Sequence, residues 1–281
     1  MPRSSRLACL TLVLALATPS GLRLAAADAL YQARAVVSGQ GEERRALGLA
    51  LCLKDVVARV SGDPRLMDDA RVAALGDQAA SFVTGFSYRD RLGGRPLHDE
   101  QGSYDRPHDL TCEFDRHKID MLLESLDHQP WPAPRPRIVL LVGIRDMKGK
   151  TCTLADDSAD PRENDMRGAL TAASDRFALP FLLPTQAVLA GAALDEATLP
   201  KASLADLERI ARAAGGETIV AGTLAWSDKA LGWVSEWRLS AQGKTYRWQA
   251  RGVGFDEAFR NVVSGAAQIL SGNGQPADLV K

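Results

Sequence analysis

No charge of one sign dominates this chain: 34 Lys and Arg stand against 35 Asp and Glu, a formal net charge of −1. That balance excludes the strongly basic face by which a protein neutralises nucleic-acid phosphates. Low-complexity tracts are missing too, because the 24 Gly and 14 Pro are scattered, and no internal repeat points to a solenoid or propeller. Beyond residue 27 no apolar run approaches the ~20 residues that a membrane-spanning helix needs. Cysteine is scarce, with four in 281 residues, and a chain of this length buries a core without covalent staples.

The signatures of several enzyme classes are absent as well. There is no G-x-S-x-G elbow and no S-x-x-K. None of His98, His108, His117 and His128 pairs with another at the i, i+4 spacing of the zincins. The segment from Gly143 to Thr151 imitates a phosphate-binding loop, but five residues separate Gly143 from Gly149-Lys150-Thr151 where four are needed, and an acidic, turn-rich stretch follows instead of a helix. It reads as a plain turn. The stretch Asp156-Asp157-Ser158-Ala159-Asp160 lacks the closing glutamate of a calcium loop and reads as a solvated loop. No cofactor and no metal are expected.

What is present begins at the amino terminus. Arg3 and Arg6 precede an apolar run from Leu7 to Ala17, Pro19 and Gly21 break it, and Ala25-Ala26-Ala27 supplies an A-x-A site. This order predicts a cleaved signal peptide over residues 1–27, a mature chain starting at Asp28, and a periplasmic location. Cleavage would remove three arginines and no acid, leaving 31 basic and 35 acidic residues.

The fold class predicted is α/β (α+β): two small mixed-sheet domains joined by a Pro-rich linker. Alternation over Leu30–Ser38, helical spacing over Glu42–Val60 and then Ala70–Phe82, strands at Phe86–Leu92 and Asp109–Phe114, and a helix capped by Asp115 give a β-α-α-β-β-α domain over 28–128. Four prolines in residues 129–136 mark the linker. The second domain spans 137–272. It contains a continuous apolar strand at Arg137–Gly143, a helix over Asp165–Phe177, a short strand at Leu179–Leu183 and a helix capped by Ser203. A strand at Thr218–Trp226, a hairpin over 232–251 and a last helix from Phe255 to Leu270 complete it. Residues 273–281 read as a frayed tail.

Three sets of residues stand out. Cys52 and Cys112 both lie on apolar faces of the first domain, so a bridge between them is one reading; buried free thiols acting as small hydrophobes is the preferred one. The loop from Gly93 to His108 carries His98, Asp99, Glu100, Tyr104 and Arg106, a candidate binding surface. Trp233 and Trp237 share one strand face, opposite Tyr246 and Trp248. That stripe reads as core beneath the last helix, with a glycan platform as the alternative.

Several stretches also carry a family resemblance. They include Val60-Ser61-Gly62-Asp63, Tyr88-Arg89-Asp90-Arg91, His98-Asp99-Glu100-Gln101-Gly102, Arg106-Pro107 with Asp109-Leu110, Arg135-Pro136-Arg137, Gly222 through Asp228, and Gly252 through Phe259. Together they resemble the uncharacterised bacterial family known as domain of unknown function 2066. The resemblance implies an exported protein of Gram-negative bacteria and brings no site residues with it. More distantly, the first half resembles the first domain of flagellar outer-ring accessory proteins. The second half resembles α/β domains of the Tol translocation protein and the curli-secretion lipoprotein. The function expected is that of a non-catalytic cell-envelope binding or scaffold protein whose partner is another envelope protein. The alternatives are a hydrolase or glycan-acting enzyme with an inter-domain site, and a glycan-binding module.

Overall fold

The computed structural model describes residues 28–93, 106–192 and 197–281; the predicted signal peptide and most of the loop before His108 lie outside them. The class is mixed α and β, with one three-stranded and one seven-stranded sheet.

The first sheet forms from β1 (Gln32–Ser38), β2 (Val83–Asp90) and β3 (Pro107–Phe114), in the order β1-β3-β2. Both pairings are antiparallel, so this sheet is not mixed. Strict alternation in β1 places Ala33, Ala35 and Val37 inward. They meet α1 (Glu42–Ser61), whose Leu49, Cys52, Leu53, Val56, Val57 and Val60 form the buried stripe. The helix after β3, Arg116–Ser125 (α3 below), adds Ile119, Leu122 and Leu123 to the same core. The expected second helix breaks into a single turn, α2 (Ala70–Ala73), and a 3-10 segment at Gly76–Phe82. Gly76 falls where that helix would have to continue, and glycine is a poor interior helix residue.

The second sheet has β4 (Ile138–Arg145), β5 (Thr151–Thr153), β6 (Phe181–Leu182), β7 (Thr218–Ser227), β8 (Gly232–Ala241), β9 (Lys244–Val253) and β10 (Leu279–Val280). The path is β10-β9-β8-β7-β4-β5, with β6 also beside β4. β4 runs parallel to β6 and β7 and is buried from Ile138 to Ile144. Burial on both faces accounts for its unbroken apolar run. α4 (Pro161–Phe177) and α7 (Phe255–Leu270) pack on one side. α5 (Gln186–Ala192) and α6 (Leu204–Ala213) lie on the other, where Leu207 and Ile210 of α6 cover Val139, Leu141 and Ile219.

The tail is not frayed. β10 pairs parallel with β9, and Asp278 accepts hydrogen bonds from both the main chain and the side chain of Gln249. The proline-rich segment is not a free linker either. Trp131 packs against the second core, to which Ala58 of α1 also belongs. Arg135, 7 % exposed, lies with its guanidinium over the Trp131 ring at 4.3 Å. It donates to the carbonyls of Arg59 and Trp131 on one side and of Phe177 on the other. Those carbonyls include the C-terminal ends of α1 and α4, where the helix dipoles concentrate negative charge. One buried cation thus holds two helices from different units, with no carboxylate bonded to it among the described residues. Burial pushes its pKa down to about 9, so it stays charged at neutral pH.

Gly62 ends α1 at a φ of 74°, which glycine adopts freely. A Cβ there would also stand 2.6 Å from Ser271 Cβ and 2.8 Å from Trp131 Cε3. Around it, Ser271 donates to the Gly62 carbonyl and Asn273 to that of Ser61.

Candidate binding slot along the first strand

β1 is an edge strand, and its alternation assigns both its side chains and its main-chain groups. Phe114 N donates to Tyr31 O, and Gly39 N donates to Arg106 O. Odd-numbered residues therefore bond to β3, while the N–H and C=O of Gln32, Arg34 and Val36 point outward. The Gln32 carbonyl accepts from Arg59 Nη1 at 2.7 Å. The outward groups of Arg34 and Val36 meet no backbone partner among the described residues.

Beside this edge lies a cavity of about 620 Å³. It is lined by Gln32, Arg34 and Val36 of β1, by Asp109 and Thr111 of the neighbouring β3, by Asp55 and Arg59 of α1, and by Ala172, Asp175 and Arg176 of α4. Val36 is 53 % exposed. Arg176 pairs with Asp55 at 2.5 Å. Burial lowers the Arg59 guanidinium to about 10 against the opposing pull of Asp175 and Asp55, and its buried Nε has no partner. Asp109, on the open sheet face, is already held by Arg89 at 2.6 Å and Arg91 at 3.6 Å. Arg34 is exposed and makes no ion pair among the described residues. The slot therefore presents main-chain donors and acceptors, one exposed valine and, in Arg34, an exposed cation with no ion pair among the described residues.

The residues singled out in the sequence fall elsewhere. His98, Asp99, Glu100 and Tyr104 lie outside the described residues. Arg106 begins beside β3 and pairs with Asp90 at 3.0 Å. His108 is buried; its Nδ1 lies 2.7 Å from Arg106 O and its Nε2 3.0 Å from the Gln40 side-chain nitrogen. Cys52 and Cys112 are joined in a disulfide, against the preferred free-thiol reading. The helix spacing and the strand parity place both sulfurs in one buried layer between α1 and β3. Trp237 is 2 % exposed and Trp248 is equally buried, beneath Phe259, Val262 and Val263 of α7. Trp237 is therefore core and not a binding surface. Trp233 packs partly against the same core, and its ring stands edge-on to Trp226 at 5.9 Å.

Other candidate chemistry resolves into local structure. Asp146 Oδ1 accepts from the amides of Lys148 and Lys150, so the imitation phosphate loop is a turn leading into β5. Asp157 accepts from Gln186 N, and Asp160 caps α4. The free Cys152 is half-buried; burial, with Glu163 nearby, pushes its thiol up to about 11, well away from a reactive thiolate. Among the described residues no group of three or more His, Cys, Asp or Glu gathers as a metal site. Sequence reasoning missed the slot itself. Alternation announced β1, but nothing local says that β1 is an edge or that α4 stands across from it.

No curated protein matches the chain. A family model does match part of it, and that family is not number 2066: residues 25–132 are similar to a domain of unknown function, DUF8605.

Proposed function

We propose that the chain is an exported protein of the Gram-negative periplasm that acts there as a non-catalytic binding or scaffold protein for another envelope protein. The observation that carries this reading is the slot beside β1, whose lining offers main-chain groups and a guanidinium, that of Arg34, without partners among the described residues, the chemistry of polypeptide recognition. The buried Cys52–Cys112 disulfide supports the compartment, because such bonds persist where the surroundings are oxidising.

The test is crosslinking in intact cells with a tagged full chain, beside a form whose loop between Gly93 and His108 is shortened. Osmotic-shock release of a chain whose amino terminus is Asp28, crosslinked to one discrete envelope protein, is the expected result. Retention in the cytoplasm with residues 1–27 intact would overturn the location. Absence of any specific protein crosslink would overturn the binding role.

A further inference from the structure

We infer that the open edge of β1 is a docking site for a single extended segment of a partner polypeptide, which enters as an additional strand between β1 and α4. This rests on the binding reading above and names how the partner is held.

The main chain provides the first half of the case. An incoming strand finds the outward N–H and C=O of Arg34 and Val36 without a partner among the described residues, four groups at the spacing of a sheet ladder. Arg59 occupies the next carbonyl, that of Gln32, and so sets where pairing stops. The shared lining selects the occupant. Ala172, Asp175 and Arg176 of α4 line the same cavity as Gln32, Arg34 and Val36 of β1. A lone strand brings no backing helices into that cavity, whereas the edge of a second copy would arrive backed by its own α1 and α4. Natural proteins seldom leave an edge strand with an exposed apolar residue unless something covers it.

Side chains provide the second half. Residues of the new strand that lie opposite Arg34 and Val36 share their face, the open face of the sheet. Among the described residues Arg34 has no ion-pair partner there, and the neighbouring Asp109 is committed to Arg89 and Arg91. The complementary segment therefore carries an acidic residue opposite Arg34 and an apolar residue opposite Val36. Opposite positions two apart give an acid-x-apolar pattern in an otherwise extended sequence.

The test uses a random heptapeptide library displayed on phage and selected against the full chain lacking residues 1–27, followed by affinity measurement on the enriched peptides. Two variants read the mechanism. Val36→Pro removes an outward N–H, which an edge strand tolerates, and exchanges one apolar side chain for another, and Arg34→Glu reverses the charge at an exposed position. The expected result is enrichment of acid-x-apolar peptides, with binding weakened on the order of 10-fold by either variant. Arg34→Glu should regain affinity when the peptide acid is replaced by lysine. That rescue also shows the variant to be folded. No enrichment, or binding indifferent to both variants, would overturn the inference. So would a wild-type dimer that Val36→Pro converts to monomer, since a second copy would then fill the slot. If Val36→Pro still captures the same envelope protein in cells, the slot is removed while the binding role stands.

Discussion

The two sheets solve the same problem with unequal means. The seven-stranded sheet is covered by α4 and α7 on one side and by α6 over its parallel strands on the other. Among the described residues the three-stranded sheet rests on α1 and α3 by one face only, leaving Arg34, Val36, Ser87 and Arg89 on the open face and β1 as a free edge. A sheet of three strands with one buried face is near the lower limit of independent stability. The smaller unit compensates with a buried disulfide and with the strap that ties it to its neighbour. All five tryptophans fall at residue 131 or later, so their fluorescence reports on the larger unit and the strap alone. The contrast can therefore be broken one side at a time.

The largest effect should come from the disulfide. It closes a loop of 60 residues, and the chain-entropy model gives about 4 kcal/mol for a loop of that length. The double variant Cys52→Ala/Cys112→Ala should lose the far-ultraviolet dichroism of the first unit at a urea concentration where tryptophan emission is still native. A single transition seen equally by both probes would mean that the two units do not differ in stability as their coverage suggests.

Arg135→Ala comes next. It leaves buried carbonyls at the ends of α1 and α4 without a donor, which should cost about 3 kcal/mol. The loss should appear as earlier, non-coincident unfolding of the two units. Arg135→Lys should recover little of it, because an ammonium cannot replace the planar fork that reaches both helix ends.

Asp63 sharpens the same junction through pH. Its carboxylate is buried, which raises its pKa, but hydrogen bonds from Arg65 and His128 outweigh burial and hold the pKa below the ordinary 3.8. A depressed carboxylate contributes stability that is present above the unfolded value and is lost as pH falls through the folded one. Wild type should therefore weaken below pH 3.8 more steeply than Asp63→Asn, which should itself lose about 2 kcal/mol at neutral pH. Urea midpoints at several pH values provide the check.

Much of this architecture was legible in the sequence because it is written locally. The spacing of Leu49, Leu53, Val56 and Val60 announced α1, the run Ile138–Val142 announced a doubly buried strand, and α7 spans Phe255–Leu270 as expected. Periodicity also sent Trp237 to the core. What failed depended on distant partners. Asp278 orders the tail only because Gln249 lies beside it, and the prolines of the strap announce stiffness without saying that Arg135 will find two helix ends. The candidate site was the least legible part. An exposed Val36 is a defect of alternation until the missing neighbour strand and the facing helix are known.

The smallest effect should come from the Asp55–Arg176 pair, which also joins α1 to α4 across the junction. The arginine side chain is 40 % exposed, so water screens the attraction and holding the long side chain costs entropy. Arg176→Ala should cost between about 0 and 1 kcal/mol, and that difference should shrink further when salt shortens the Debye length. Tryptophan emission and far-ultraviolet dichroism should still report one junction, unlike Arg135→Ala. Buried groups bonded to helix ends cannot be replaced by water, whereas an exposed ion pair can. A loss as large as that of Arg135→Ala would place the coupling of the two units in surface charge, and the slot between β1 and α4 would then open and close with ionic strength.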